Sequence, residues 1–132
     1  MPAPSAFEYA VVRVVPCVPR EEFVNAGVIL FCEAHDYLAG RIELDEARLL
    51  SLAPDVDLSL VRRHLAAIPR LCAGGPEAGP LGHLPRRERF RWLVAPRSTI
   101  LQTSAAHAGL CEAPERYLER LVETLVLPAR VR

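Results

Sequence analysis

The chain has no lysine. Its sixteen basic side chains are all arginine, and sixteen acids balance them to a formal net charge of zero. Without lysine there is no Schiff-base amine, no phosphate-loop lysine and no kinase nucleotide-binding lysine, so any phosphoryl chemistry would rest on arginine. Zero net charge also removes the basic excess typical of phosphate-backbone binders, so nucleic acid is not an expected partner. The four cysteines, Cys17, Cys32, Cys72 and Cys111, include no Cys-x-x-Cys, and no two histidines stand at helical metal-binding spacing. No metal ion or other cofactor is therefore expected, and the thiols read as small hydrophobes packed in apolar runs. There is no Gly-x-Ser-x-Gly, no secretory apolar region and no apolar stretch long enough to span a bilayer, which predicts a cytoplasmic protein without membrane contact.

What is present is globular. The 132 residues are 51% apolar and 24% charged, enough for one core. The reading is a single domain over residues 1–132, with disordered tails at residues 1–6 and 128–132. Residues 7–15 alternate Phe7, Tyr9, Val11, Arg13 and Val15 with a second partly apolar set, which predicts a central strand ended by Pro16 and Pro19. Residues 24–31 form another, and Asn25 and Gly27 within it predict a bulge or a close backbone approach. A third strand over residues 37–44 makes a hairpin through Ala34, His35 and Asp36.

Asp45 and Asp57 then read as caps of two helices. The second carries Leu58, Val61, Leu65 and Ile68 inward, Arg62 and Arg63 outward, and is kinked or ended by Pro69. The glycine- and proline-rich residues 74–82 are an exposed connector. Residues 85–94 read as a helix opened by Pro85, although the alternation of Phe90 and Trp92 also allows a strand; residues 97–104 read as a strand, and Pro114 starts an amphipathic helix to Leu127. The order predicts an α+β fold with a sheet of about four strands, antiparallel or mixed, covered by helices.

Polar residues that could hold a ligand concentrate between Ala95 and Gly109. Arg97, Ser98, Thr99, Gln102, Thr103, Ser104 and His107 stand within that stretch, and Asn25 and Arg20 are the further candidates. Arg97 can grip a phosphate or carboxylate through parallel hydrogen bonds, with hydroxyls taking the remaining oxygens. His107 could act as acid or base near neutral pH, but no neighbouring carboxylate orients it, and no residue is assigned a catalytic role. A separate basic run, Arg86, Arg87, Arg89 and Arg91 around Phe90 and Trp92, has the makings of a stacking surface for single strands, though a solvated face over core aromatics explains it more simply.

Three blocks carry a family resemblance: Tyr9-Ala-Val-Val-Arg-Val-Val-Pro, Arg20-Glu-Glu-Phe-Val-Asn-Ala-Gly-Val-Ile-Leu-Phe, and Arg89-Phe-Arg-Trp-Leu-Val-Ala-Pro-Arg-Ser-Thr-Ile-Leu-Gln-Thr-Ser. Together they resemble a bacterial family catalogued as domain of unknown function 3037, over roughly residues 7–127. The resemblance implies no activity, cofactor or catalytic residue. It does imply association with HipA-type kinase-like proteins, whose genes are often neighbours. The leading expectation is a non-catalytic accessory module acting with such a partner, in which Ser98, Thr99, Thr103 and Ser104 are candidate phosphoacceptors beside Arg97. The alternative is a small enzyme or anion binder that takes a phosphorylated or carboxylated metabolite through Arg97 and His107.

Overall fold

A computed structural model describes residues 3–128. Five strands, β1 (Ser5–Val14), β2 (Val24–Cys32), β3 (Tyr37–Ile42), β4 (Leu101–Thr103) and β5 (His107–Cys111), form one antiparallel sheet. Four helices, α1 (Glu46–Leu52), α2 (Leu58–Ala73), α3 (Arg86–Val94) and α4 (Pro114–Leu125), cover it. This is the expected α+β class, with five strands and every pairing antiparallel.

The strand order is β3-β2-β1, and β4 and β5 share the far edge of β1. β1 and β2 are the centre. Val12, Val28, Ile29 and Leu30 are 0% exposed, as befits strands covered on both faces. One face carries Val12, Val14, Ile29 and Phe31 against Leu49 of α1, Val61, Leu65 and Ile68 of α2, and Phe90 and Leu93 of α3. The other carries Phe7, Val28, Leu30 and Cys32 against Leu118 and Val122 of α4.

The bulge expected at Asn25 and Gly27 is present: Val12 opposes Gly27 and Arg13 opposes Asn25, so Ala26 is the extra residue. It reverses the alternation of β2, which sends Val24 and Ala26 to the same face as Ile29 and Phe31. Gly27 also meets the close backbone approach, since a Cβ there would lie 2.5 Å from the Arg41 carbonyl oxygen.

The strand expected over residues 97–104 is confined to β4, with residues 97–100 outside any strand, and a second irregularity follows it before β5, which was not expected. Thr103 opposes Val12 and His107 opposes Tyr9, so Ser104, Ala105 and Ala106 span a gap that Ala10 and Val11 fill on β1. Regular pairing is thus confined to β4 on one side, while β5 continues along β1 on the other. Ser104 closes the gap. Its backbone N–H donates to the Val11 carbonyl and its hydroxyl accepts from the Val11 N–H, both at 2.9 Å.

Asp45 and Asp57 accept from the Arg48 and Leu60 amides, as N-caps do. Of the two effects expected of Pro69, a kink or an end, the end does not occur there. The helix runs on to Ala73 because Leu71 and Cys72 beyond the proline are buried in the core and the Gly74 amide closes on the Arg70 carbonyl. Arg89 of α3 is buried and donates to the carbonyls of Leu84 and Cys72, which fixes the start of α3 to the end of α2. The N-terminal tail is also shorter than expected, since Ser5 already pairs with Cys111. The tail assignments for residues 1–2 and 129–132 lie outside the described residues.

Replacing Ser104 by Ala should leave the buried Val11 N–H without its acceptor and cost about 1–3 kcal/mol of stability. Urea unfolding measures this, and a loss below about 0.5 kcal/mol would mean that the hydroxyl is not what holds the divided edge.

The thiols offer a second test. Cys17 is exposed and the other three are buried. Burial pushes the Cys72 thiol up from 9.0 to about 12, and the nearby Arg89 charge works the other way without cancelling it. At pH 8 its thiolate fraction is therefore on the order of one in ten thousand. A disulfide-exchange reagent should modify a single thiol rapidly, and none in a Cys17→Ser variant. Because the folded thiol ionises above the unfolded one, this stabilising contribution is intact below the ordinary value of 9.0 and is lost as pH climbs toward about 12.

Candidate functional site

Where α2, the end of α3 and β4 meet, the structure leaves a cleft of about 270 Å³, near the lower end of the range for ligand sites. α2 contributes Arg63, His64, Ala67, Ile68 and Leu71, which recur at steps of three and four and so lie along one stripe. The sheet contributes Val12 of β1 and Leu101 and Thr103 of β4, while α3 contributes Trp92 and Leu93. The floor is aliphatic, with Val12, Ile68, Leu71 and Leu93 buried. The rim is polar: the guanidiniums of Arg63 and Arg97 and the imidazole of His64, with the hydroxyls of Thr99 and Thr103 and the amide of Gln102. Among the described residues no Asp or Glu lines the cleft.

Arg97 owes its position to the way α3 ends. Pro96 cannot extend the helix, and the chain turns back so that the guanidinium caps it. Its Nη2 donates to the Trp92 carbonyl at 2.5 Å and its Nε to the Ala95 carbonyl at 3.3 Å. The Cζ lies 4.6 Å from the centroid of the Trp92 ring, so Arg97 covers a face of that indole. Trp92 itself is 46% exposed, in contrast to the core position expected for it. Thr99 donates its hydroxyl to the Leu101 carbonyl, and the Gln102 amide donates to the Thr99 carbonyl, which ties residues 99–102 into a local turn. The guanidinium of Arg63 and the imidazole of His64 are exposed at the rim. The outward reading of Arg63 holds for exposure but missed its place beside the cleft.

Of the nine candidate residues, the structure brings together Arg97, Thr99, Gln102 and Thr103. The others lie elsewhere. Ser98 is exposed outside the cleft lining, and Ser104 is buried with its hydroxyl donating to the Ala105 carbonyl while accepting from Val11. Ser104 is therefore not presented to solvent as a phosphoacceptor. His107 sits on β5 with its ring centroid 5.2 Å from that of Tyr9, away from Arg97's cleft. Asn25 donates to the Leu125 carbonyl at 3.0 Å and so secures the end of α4, and Arg20 forms an exposed ion pair with Glu22.

The basic run on α3 is likewise divided. Arg87 pairs with Glu33, Arg89 is buried on main-chain carbonyls, and Phe90 stacks on Phe31 at 5.4 Å inside the core. Phe90 is thus unavailable for base stacking. Sequence reasoning missed Arg63 and His64 as companions of Arg97. The signal that could have pointed to them is that an arginine and a histidine border the apolar stripe of α2 one turn before Ala67 and Ile68.

Among the described residues, no group of three or more His, Cys, Asp or Glu side chains is arranged to hold a metal ion. Among the same residues, no helix is long and apolar enough to cross a membrane. A family model described as protein of unknown function (DUF3037) matches residues 9–126. Neither a curated protein nor a solved structure matches the chain.

Proposed function

The chain belongs to the DUF3037 family, whose description assigns no activity, and from its own geometry we propose that it is a non-catalytic binding module whose cleft between α2, α3 and β4 receives an anionic group carried on an apolar body. The observation that carries this reading is the composition of the cleft: Arg63 and Arg97 at the rim with His64 beside them, buried aliphatic side chains beneath, and, among the described residues, no carboxylate in the lining to neutralise the two guanidiniums. An anion entering there finds unpaired positive charge at the mouth and desolvated apolar surface below it.

The same residues argue against catalysis. A general base or acid needs an orienting partner, and His64 has no carboxylate beside it in the cleft. A nucleophile needs an activating base, whereas the Thr99 hydroxyl is committed to a main-chain carbonyl. His107, the acid or base of the enzymatic alternative, lies away from the cleft. The anion-binding half of that alternative fits the geometry better than its enzymatic half.

A second reading, an accessory role beside a kinase-like partner in the bacterial cytoplasm, draws on one further observation. The half-exposed Trp92 with Arg97 stacked on it is the pairing of residue types that protein interfaces favour at their centres. A phosphorylated or carboxylate-bearing side chain of a partner would present the same chemistry as a small amphipathic anion.

Trp92 is the single tryptophan and lines the cleft, so its fluorescence reports occupancy directly. Titration with octanoate should shift that fluorescence and raise the melting temperature, by the equivalent of about 2.7 kcal/mol at a hundredfold excess over the dissociation constant. Inorganic phosphate, which lacks an apolar body, should do so far more weakly. Arg63→Glu, at an exposed rim position, should weaken octanoate at least about tenfold with the fold intact. An octanoate response that Arg63→Glu leaves unchanged, or no response to any amphipathic anion, would overturn the reading.

A further inference from the structure

We infer that the outer edge of β5 is a self-association surface, on which two copies of this chain pair β5 with β5 into one continuous sheet. Among the described residues β5 hydrogen-bonds only to β1, so its other edge presents unpaired backbone donors and acceptors. Natural edge strands are guarded by charges, proline or a covering element. β5, His107-Ala-Gly-Leu-Cys, contains no proline, Asp, Glu, Lys or Arg. It also leaves Leu110 66% exposed, the largest such value among the exposed large apolar side chains.

The strand's own pattern selects the occupant. Ala108 and Leu110 oppose Glu8 and Ala6 of β1, and all four are exposed, so this end of the sheet carries no helix on that face. In an antiparallel pairing centred on Gly109, Ala108 of each copy stands opposite Leu110 of the other. Two exposed leucines are then covered by two exposed alanines, which is the self-complementarity a two-fold interface requires.

Charge supports the same partner. The rim beside Leu110 holds both signs, Glu112 with Arg116 and Arg120, and the chain as a whole carries no net charge. A second copy therefore meets no long-range repulsion, and its rim offers charges of both signs to this one. A strongly acidic or basic peptide would find half of this rim unfavourable.

Sedimentation of the full chain between 5 and 200 μM should show a concentration-dependent dimer. Leu110→Asp and Ala108→Glu, both at exposed positions, should each leave the melting temperature of the monomer unchanged and move the chain to monomer over that range. Amide exchange should slow in β5 with rising concentration in the parent chain and not in the variants. A chain monomeric at 200 μM would overturn the inference, as would a dimer that survives both substitutions. Loss of the dimer in either variant, with folding retained, supports it.

Discussion

The Val11 amide, buried beside the break between β4 and β5, is the group around which one side of the molecule is arranged. β1 is ten residues long and pairs with one strand, β2, from Glu8 to Val14 on one edge, with a single bulge, but on the other edge it meets two short strands. A buried N–H without an acceptor is costly, and the extra residue between the two strands carries the pairing past this amide. Ser104 answers with its hydroxyl and, through its own amide, with the Val11 carbonyl. A side chain thereby takes the place of a missing rung in the ladder.

Two surfaces follow from that substitution. On one side of the break, β4 is held under α2 and α3, where Leu101 and Thr103 form a wall of the cleft. On the other side, β5 runs out along the N-terminal half of β1 beyond the reach of those helices. A single uninterrupted strand would have kept one alternation across both regions. The division lets the first part serve a pocket and the second part serve an edge.

Much of the architecture was readable from local rules. Val28, Ile29 and Leu30 announced a strand covered on both faces, Asp45 and Asp57 announced helix caps, and the pairing of Asn25 with Gly27 announced the bulge. In each case the determinant lies within a few residues. β5 was not readable, because alanine and glycine have little intrinsic tendency to extend and its conformation comes from pairing with β1. The cleft was half readable. Arg97, Thr99, Gln102 and Thr103 are close in sequence, whereas Arg63 and His64 join them only because α2 crosses the sheet above β4. Ser104 showed the converse problem: its hydroxyl reads as an exposed ligand group until the neighbouring backbone is seen to need it. Pro69 left two outcomes open, and the burial of Leu71 and Cys72 beyond it outweighs the local tendency to end the helix there.

Arg89 completes the picture of how the cleft is built. Among the described residues its buried guanidinium has no carboxylate partner, and the negative end of α2, through the Cys72 carbonyl, stands in for one. The charge can stay desolvated only while that helix terminus remains in place. α2 and α3, which bear opposite jaws of the cleft, are consequently clamped to each other as a fixed vise. Any adjustment to an occupant's size must come from the short ribbon between Pro96 and Ile100, leaving that ribbon to set how large a guest can be held.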